Sequence, residues 1–229
     1  MRSGLATTEP IAVLAAGVGL RHRSTWILRS VSFRMDARPP GSVVLGIAAS
    51  QRAVTAALVD LLAGLAPPSH GELRVLGKDL TTPRGRAAVR PYVGVARHPG
   101  RPEPVLRVRG LTEHAARAAR IPDRDRPALA AAILDRLALT PWAESRLGGA
   151  PKAVGRRARL AAAAVHRPEL LLLDGLLDGL TPQERASVAA GVRELARDTV
   201  IIAAGQDATT LRLTCDEVLT LSDGILTGG

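Results

Sequence analysis

The chain is predicted to fold as an α/β domain around a mostly parallel sheet. Three observations predict it. The stretch Val165 to Arg185 holds four consecutive leucines, Leu170 to Leu173, ending in Asp174. An apolar run of this length, bounded by Pro168-Glu169 and Asp174-Gly175, reads as a strand buried on both faces. Apolar, β-branched runs then alternate with helical patterns along the chain, which implies parallel strands. Finally, 229 residues, 46% of them hydrophobic, suffice for one large domain with a substantial core.

Residues 11–20 and 26–34 are expected as strands separated by a polar turn at Arg21 to Ser24. Pro39-Pro40-Gly41 marks a turn, and 42–48 a buried strand with Val43, Val44 and Ile47. Leu58, Leu61, Leu62 and Leu65 recur at helical spacing, with Gly64 as an end signal. Residues 72–80 give a short strand entering a turn, 91–96 another strand, and His98 to Pro104 a loop. Helical patterns follow at 111–121 and 125–139, split by Pro122, and again at 156–165. Thr181-Pro182-Gln183-Glu184 is a helix start with Thr as cap, Pro at N1 and Glu at N3. Residues 199–204 read as a strand, and 216–226 as two short strands around Asp223-Gly224.

The charge of +10, from 31 Lys and Arg against 21 acids, favours anionic partners. An anionic lipid surface stays open on this ground. Nucleic acid is disfavoured, because 2% aromatics leave little for base stacking. The arginines around Arg156-Arg157-Arg159 and Arg101, Arg107 and Arg109 are expected on solvated faces. One cysteine, Cys215, excludes an internal disulfide and argues against a cysteine metal cluster. Met1 to Pro10 has no signal-peptide character, and no run reaches the roughly 18 apolar residues that span a bilayer. A cytoplasmic protein is expected, touching a membrane only through a partner.

Asp174 sits where its strand leaves the sheet, the end at which open α/β sheets bind ligands. It is placed either to hold Mg²⁺ beside phosphates or to cap an Asp-Gly turn.

The pieces LRSVSF (28–33), LVDLLAGLAPPSHGELRVLGKDL (58–80), PYVGVA (91–96), AVHRPELLLLDGLLDGLTP (164–182) and CDEVLTLSDG (215–224) resemble, in order and spacing, the ATP-binding cassette of ABC transporters. The resemblance covers nearly the whole chain. It implies a P-loop-NTPase-like, mostly parallel sheet with antiparallel N-terminal strands and a helical insert. The single cassette would take 1–229, with a core at about 11–97 and 165–226 and the insert at about 105–160. It also implies ATP and Mg²⁺ as ligands, a membrane permease and a second cassette as partners, and a peripheral place at the inner membrane face.

The chemistry departs from the family. The phosphate loop G-x-x-x-x-G-K-[ST], whose N–H groups cradle phosphates, is matched by Ala49 to Ala56. Ala49 and Val54 stand at the glycines, Thr55 at the lysine and Ala56 at the magnesium hydroxyl. Residues 49–55 are expected as a loop before a helix whose N-terminus favours anions weakly. His22 stands at the adenine-stacking aromatic, with Trp26 four residues on. His98 stands at the coupling glutamine, and Ala150 to Val154 at the LSGGQ signature. Gly175 replaces the general base. Thr181 replaces an aspartate, with Asp178 nearby, and Gly205 or Gln206 stands at the switch histidine.

The resemblance therefore assigns no catalytic residue. It leaves His22, Ser50, Gln51, Arg52, Thr55, Asp174 and Gln206 as nucleotide contacts, with Asp174 as the metal ligand. The expected function is a degenerate ABC-type subunit with little or no hydrolysis and a regulatory or structural role. The alternative is a nucleotide-independent scaffold built on the same fold.

Overall fold

A computed structural model describes residues 11–36, 44–98 and 105–227. The expected turn at Ala37 to Gly41, the first residues of the third strand and most of the 98–104 loop lie outside them.

One ten-stranded sheet carries the molecule. Its strands are β1 (Ile11–His22), β2 (Thr25–Asp36), β3 (Val44–Ala48), β4 (His70–Val75), β5 (Lys78–Asp79), β6 (Val93–Arg97), β7 (Leu170–Asp174), β8 (Val200–Gly205), β9 (Glu217–Ser222) and β10 (Ile225–Thr227). The order is β5-β4-β1-β2-β10-β9-β3-β8-β7-β6. From β9 to β6 every pair is parallel, while β1 pairs antiparallel with β2 and β4. The expected fold class is the one observed.

The leucine strand shows why the sheet is buried on both sides. Alternate residues of a strand face opposite ways. Leu171 and Leu173 join one hydrophobic core, and Leu170 and Leu172 the other. The first core is closed by α3 (Val108–Ala118), α4 (Arg126–Arg136), α5 (Lys152–Ala164) and α6 (Pro182–Leu195). The second is closed by α1 (Arg52–Leu62) and the antiparallel strands β1 and β2.

Two short helices were not expected: α2 (Pro83–Val89) and α7 (Ala208–Arg212). Both begin on a side-chain cap. Thr82 accepts from the Gly85 N–H, with Pro83 at the first position, and Asp207 accepts from the Thr209 and Thr210 N–H groups. These are recognisable start signals, but each helix is too short to show an apolar period. Helix α6 starts on the predicted capping box of Thr181 and Glu184.

The largest departure is at α1. Helix begins at Arg52, so only Ala49, Ser50 and Gln51 separate it from β3. Ala53, Val54 and Thr55 are wound into the first helical turn instead of the expected loop. Alanine has no reason to leave a helix, and a branched Val cannot take the left-handed turns that glycine allows.

Candidate functional site

The parallel strands β6 and β7 end in register, Arg97 opposite Asp174. Arg97 Nε lies 2.9 Å from Asp174 Oδ2, within ion-pair distance although off the line of a hydrogen bond. The same guanidinium reaches Asp60 of α1 at 2.7 Å. The other Asp174 oxygen, Oδ1, accepts the Thr55 hydroxyl at 3.2 Å. Asp174 is fully buried. Burial pushes its carboxyl above the usual carboxylate range, opposed by Arg97, Arg52 and Thr55. Arg97 carries no family signal. Its position was legible only as a basic residue ending a strand that would pair with the leucine strand.

Beyond β7 the chain turns at Gly175, whose φ of +64° is the left-handed conformation that suits glycine. A Cβ there would lie 2.7 Å from the His98 carbonyl oxygen and 3.0 Å from Arg52 Nη2. Glutamate at this position would meet both backbone strain and the arginine. Arg156 of α5 holds the same turn, donating to the carbonyls of Gly175 at 2.8 Å and Asp178 at 2.9 Å. It is only 6% exposed. The solvated face expected for this arginine is therefore corrected: its helix packs against the turn, and two carbonyls replace water.

After β8, the Gln206 N–H donates to Asp178 Oδ1 at 3.4 Å, and its side chain donates to the Ser50 carbonyl at 3.2 Å. Burial raises the Asp178 carboxyl, while the Gln206 N–H, Arg52 and Arg156 pull it down. His98 is pushed down to about 4 by burial and by Arg156, Arg159 and Arg52. Its imidazole is neutral at pH 7.

An open cavity of about 520 Å³ lies in front of these groups, between the N-termini of α1 and α5. Arg52, His98, Lys152, Arg156, Arg159 and Asp178 supply its ionisable lining. Of the sequence-derived candidates, Arg52 and Gln206 line this cavity; Ser50 is tied to Gln206 through its carbonyl, and Thr55 and Asp174 are buried behind it. Gln51 is exposed at the start of α1 and makes no side-chain cap. His22 is exposed at the tip of the β1–β2 hairpin and does not line the cavity. At that tip Trp26 meets His70 edge-on at 5.2 Å, and Arg21 lies 5.7 Å from the Trp26 ring centre.

A magnesium ion does not suit this donor set. Both Asp174 oxygens face protein groups, one of them a guanidinium. Among the described residues no cluster of three His, Cys, Asp or Glu could hold an ion. At the position of the family's lysine, Thr55 brings no charge and turns its hydroxyl inward to Asp174.

No protein-family model matches the chain. It is 29% identical over 233 residues to the aliphatic sulfonates import ATP-binding protein SsuB 3 of Nocardia farcinica, covering 98% of this chain and 82% of that protein. It is 27% identical to the methionine import ATP-binding protein MetN 1 of Pseudomonas syringae, covering 87% and 60%. It is 25% identical to ABC transporter A family member 8 of Dictyostelium discoideum, covering 90% of this chain but only 26% of that protein. Thus it spans about a quarter of one relative and most of another. Among solved structures, cbiO1 of Clostridium perfringens, part of an ABC transporter complex, superposes with a TM-score of 0.81 at 17% identity, covering 96% of this chain and 88% of that one. A chain of an inward-facing metal-chelate type ABC transporter gives 0.79 at 16% identity. The chain carries the ATP-binding-cassette fold and resembles, over nearly its whole length, the ATP-binding proteins of ABC transporters.

Proposed function

We propose that this chain is an ABC-type transporter subunit that does not hydrolyse ATP and serves a structural or regulatory role beside a membrane permease. The observation that carries this reading is Gly175. It stands where the family places a general base, it has no group to take a proton, and its conformation and neighbours oppose any side chain there. Phosphoryl transfer depends on positioning and charge stabilisation, so losing the base, lysine and magnesium hydroxyl together leaves no route to turnover.

The relatives are named as import or export ATP-binding proteins, which supports a place in a transport complex. No described helix is long and apolar enough to cross a membrane. A cytoplasmic chain held peripherally by a permease accords with that. A groove of about 820 Å³ between β6, α3 and α5, with an alanine floor that includes Ala115 and Ala162 and with Arg90, Arg120 and His166 also lining it, offers a place for a permease segment. A second cassette, identical or active, would complete the pair. ATP enters this reading as a ligand, not as a substrate.

The second reading, a scaffold that ignores nucleotide, is favoured by one feature: Asp174 is already neutralised within the chain. Steady-state phosphate release from ATP and Mg²⁺ tests the main proposal. The expected result is none above a protein-free blank. Turnover near 1 s⁻¹, of the order typical for enzymes, that disappears in Asp174→Asn would overturn it.

A further inference from the structure

We propose that Arg97 is a built-in counter-cation, whose guanidinium fills the gap between Asp60 and Asp174 and thereby bars a divalent ion from it. This autoinhibitory contact rests on the silent-subunit reading and names the residue that enforces it at Asp174.

Asp174 is fully buried, and a buried carboxylate without a counter-charge is costly. Thr55 bonds Oδ1 but brings no charge. Arg97 supplies the charge. Its Nε lies 2.9 Å from Asp174 Oδ2, and its Nη2 donates to Asp60 Oδ1 at 2.7 Å. One guanidinium thus stands between a carboxylate of β7 and a carboxylate of α1. Yet Nε and Oδ2 are both buried, and neither has a hydrogen-bond partner. The pair is matched in charge but not in direction. Arginine's advantage over a simple ion lies in directed, paired hydrogen bonds. At Asp174 that advantage is unused, and a point charge would serve Oδ2 as well.

The register makes the contact. Strands β6 and β7 run parallel, so Arg97 and Asp174 end them side by side. The Arg97 and Asp60 side chains are 34% and 35% exposed, so the gap opens to solvent on that side. With the guanidinium gone, two carboxylates would face one water-accessible gap. That donor set suits a hydrated Mg²⁺ or Mn²⁺. Arg52 also acts on Asp174 through its charge. An entering cation still meets that field, which keeps the expected affinity low.

The test is thermal unfolding of the full chain with and without millimolar Mn²⁺. Binding is read separately, from loss of the free ion's electron paramagnetic resonance signal. Wild type should show neither a shift nor binding. Arg97→Gln and Arg97→Met, both neutral, should unfold at a lower temperature. Mn²⁺ should bind each of them and raise its midpoint by about 5 °C. Arg97→Lys keeps a charge and should keep the ion out. Adding Asp60→Asn to Arg97→Gln should weaken Mn²⁺ binding about tenfold, and adding Asp174→Asn should abolish it. If both neutral variants ignore Mn²⁺, or fail to fold even in its presence, the proposal is overturned, and Arg97 is a structural pair that no ion replaces. Equal Mn²⁺ binding by wild type and the neutral variants would overturn it as well. Phosphate release by wild type counts against the silent-subunit reading instead, so the two failures are told apart.

Discussion

Helices α1 and α6 both follow parallel strands on the same edge of the site, yet their beginnings are opposite in design. Helix α6 closes on itself: Thr181 and Glu184 satisfy each other's backbone N–H groups. Helix α1 begins on Gln51, which makes no cap, and then places Arg52 at the positive end of its dipole. The first end asks nothing of a ligand. The second is left polar and incompletely satisfied in front of the cavity. Helices α3 and α4 also begin without a side-chain cap, so what sets the start of α1 apart is its place at the cavity.

The largest effect should come from the group beneath both helices. Asp174→Ala removes the carboxylate between Arg97 and Thr55 and leaves buried donors without a partner. It should cost about 3 kcal/mol of stability, seen as a lower denaturant midpoint with an unchanged slope. A loss below about 1 kcal/mol would mean that the ion pair is replaced by water.

Next comes the turn that α6 follows. Gly175→Glu restores the base the family uses, but forces a side chain into left-handed backbone and against the His98 carbonyl. It should lose about 2 kcal/mol without gaining phosphate release. Activity gained without destabilisation would show that the turn is more adaptable than its geometry.

The helix starts themselves then separate. Thr181→Ala should destabilise by about 1 kcal/mol, the usual worth of a cap. Gln51→Asp should instead stabilise by about 0.5 kcal/mol by capping α1. If both changes merely destabilise in thermal unfolding, the two ends are not different in kind.

The smallest effect is electrostatic. The His98 pKa is lowered to about 4 from the usual 6.5, so the unfolded chain takes up this proton first. Its contribution is present above pH 6.5 and is lost as pH falls toward 4. Partial exposure limits it to less than about 1 kcal/mol. Asp174 and Asp178, raised by burial, act in the opposite sense: they favour the folded state at low pH and lose that effect as pH rises through their raised values. The difference between wild-type and His98→Asn stability profiles isolates the histidine. Parallel profiles would place His98 outside the arginines' field.

Much of this was legible in the sequence because burial writes periodic patterns. The leucine strand, the Thr181 cap and the Asp223-Gly224 turn each carry a local signal, and each was found as expected. Helices α2 and α7 carry caps but too little length for periodicity. The start of α1 was misplaced because a loop was expected where the family keeps glycines, whereas Ala53, Val54 and Thr55 have no need to leave the helix. Arg97 and Arg156 were not legible as site residues. Their roles arise from the register of β6 on β7 and from α5 crossing the Gly175 turn, long-range contacts that no local pattern records.

The most direct measurement is calorimetric titration of the purified chain with ATP and Mg²⁺, beside the Asp174→Asn variant. The account predicts no magnesium-dependent binding, and the same behaviour from the variant, because Asp174 is engaged by Arg97 and Thr55 within the chain. Micromolar binding that requires Mg²⁺ and is lost in Asp174→Asn would contradict it, and would return Asp174 to the role of metal ligand.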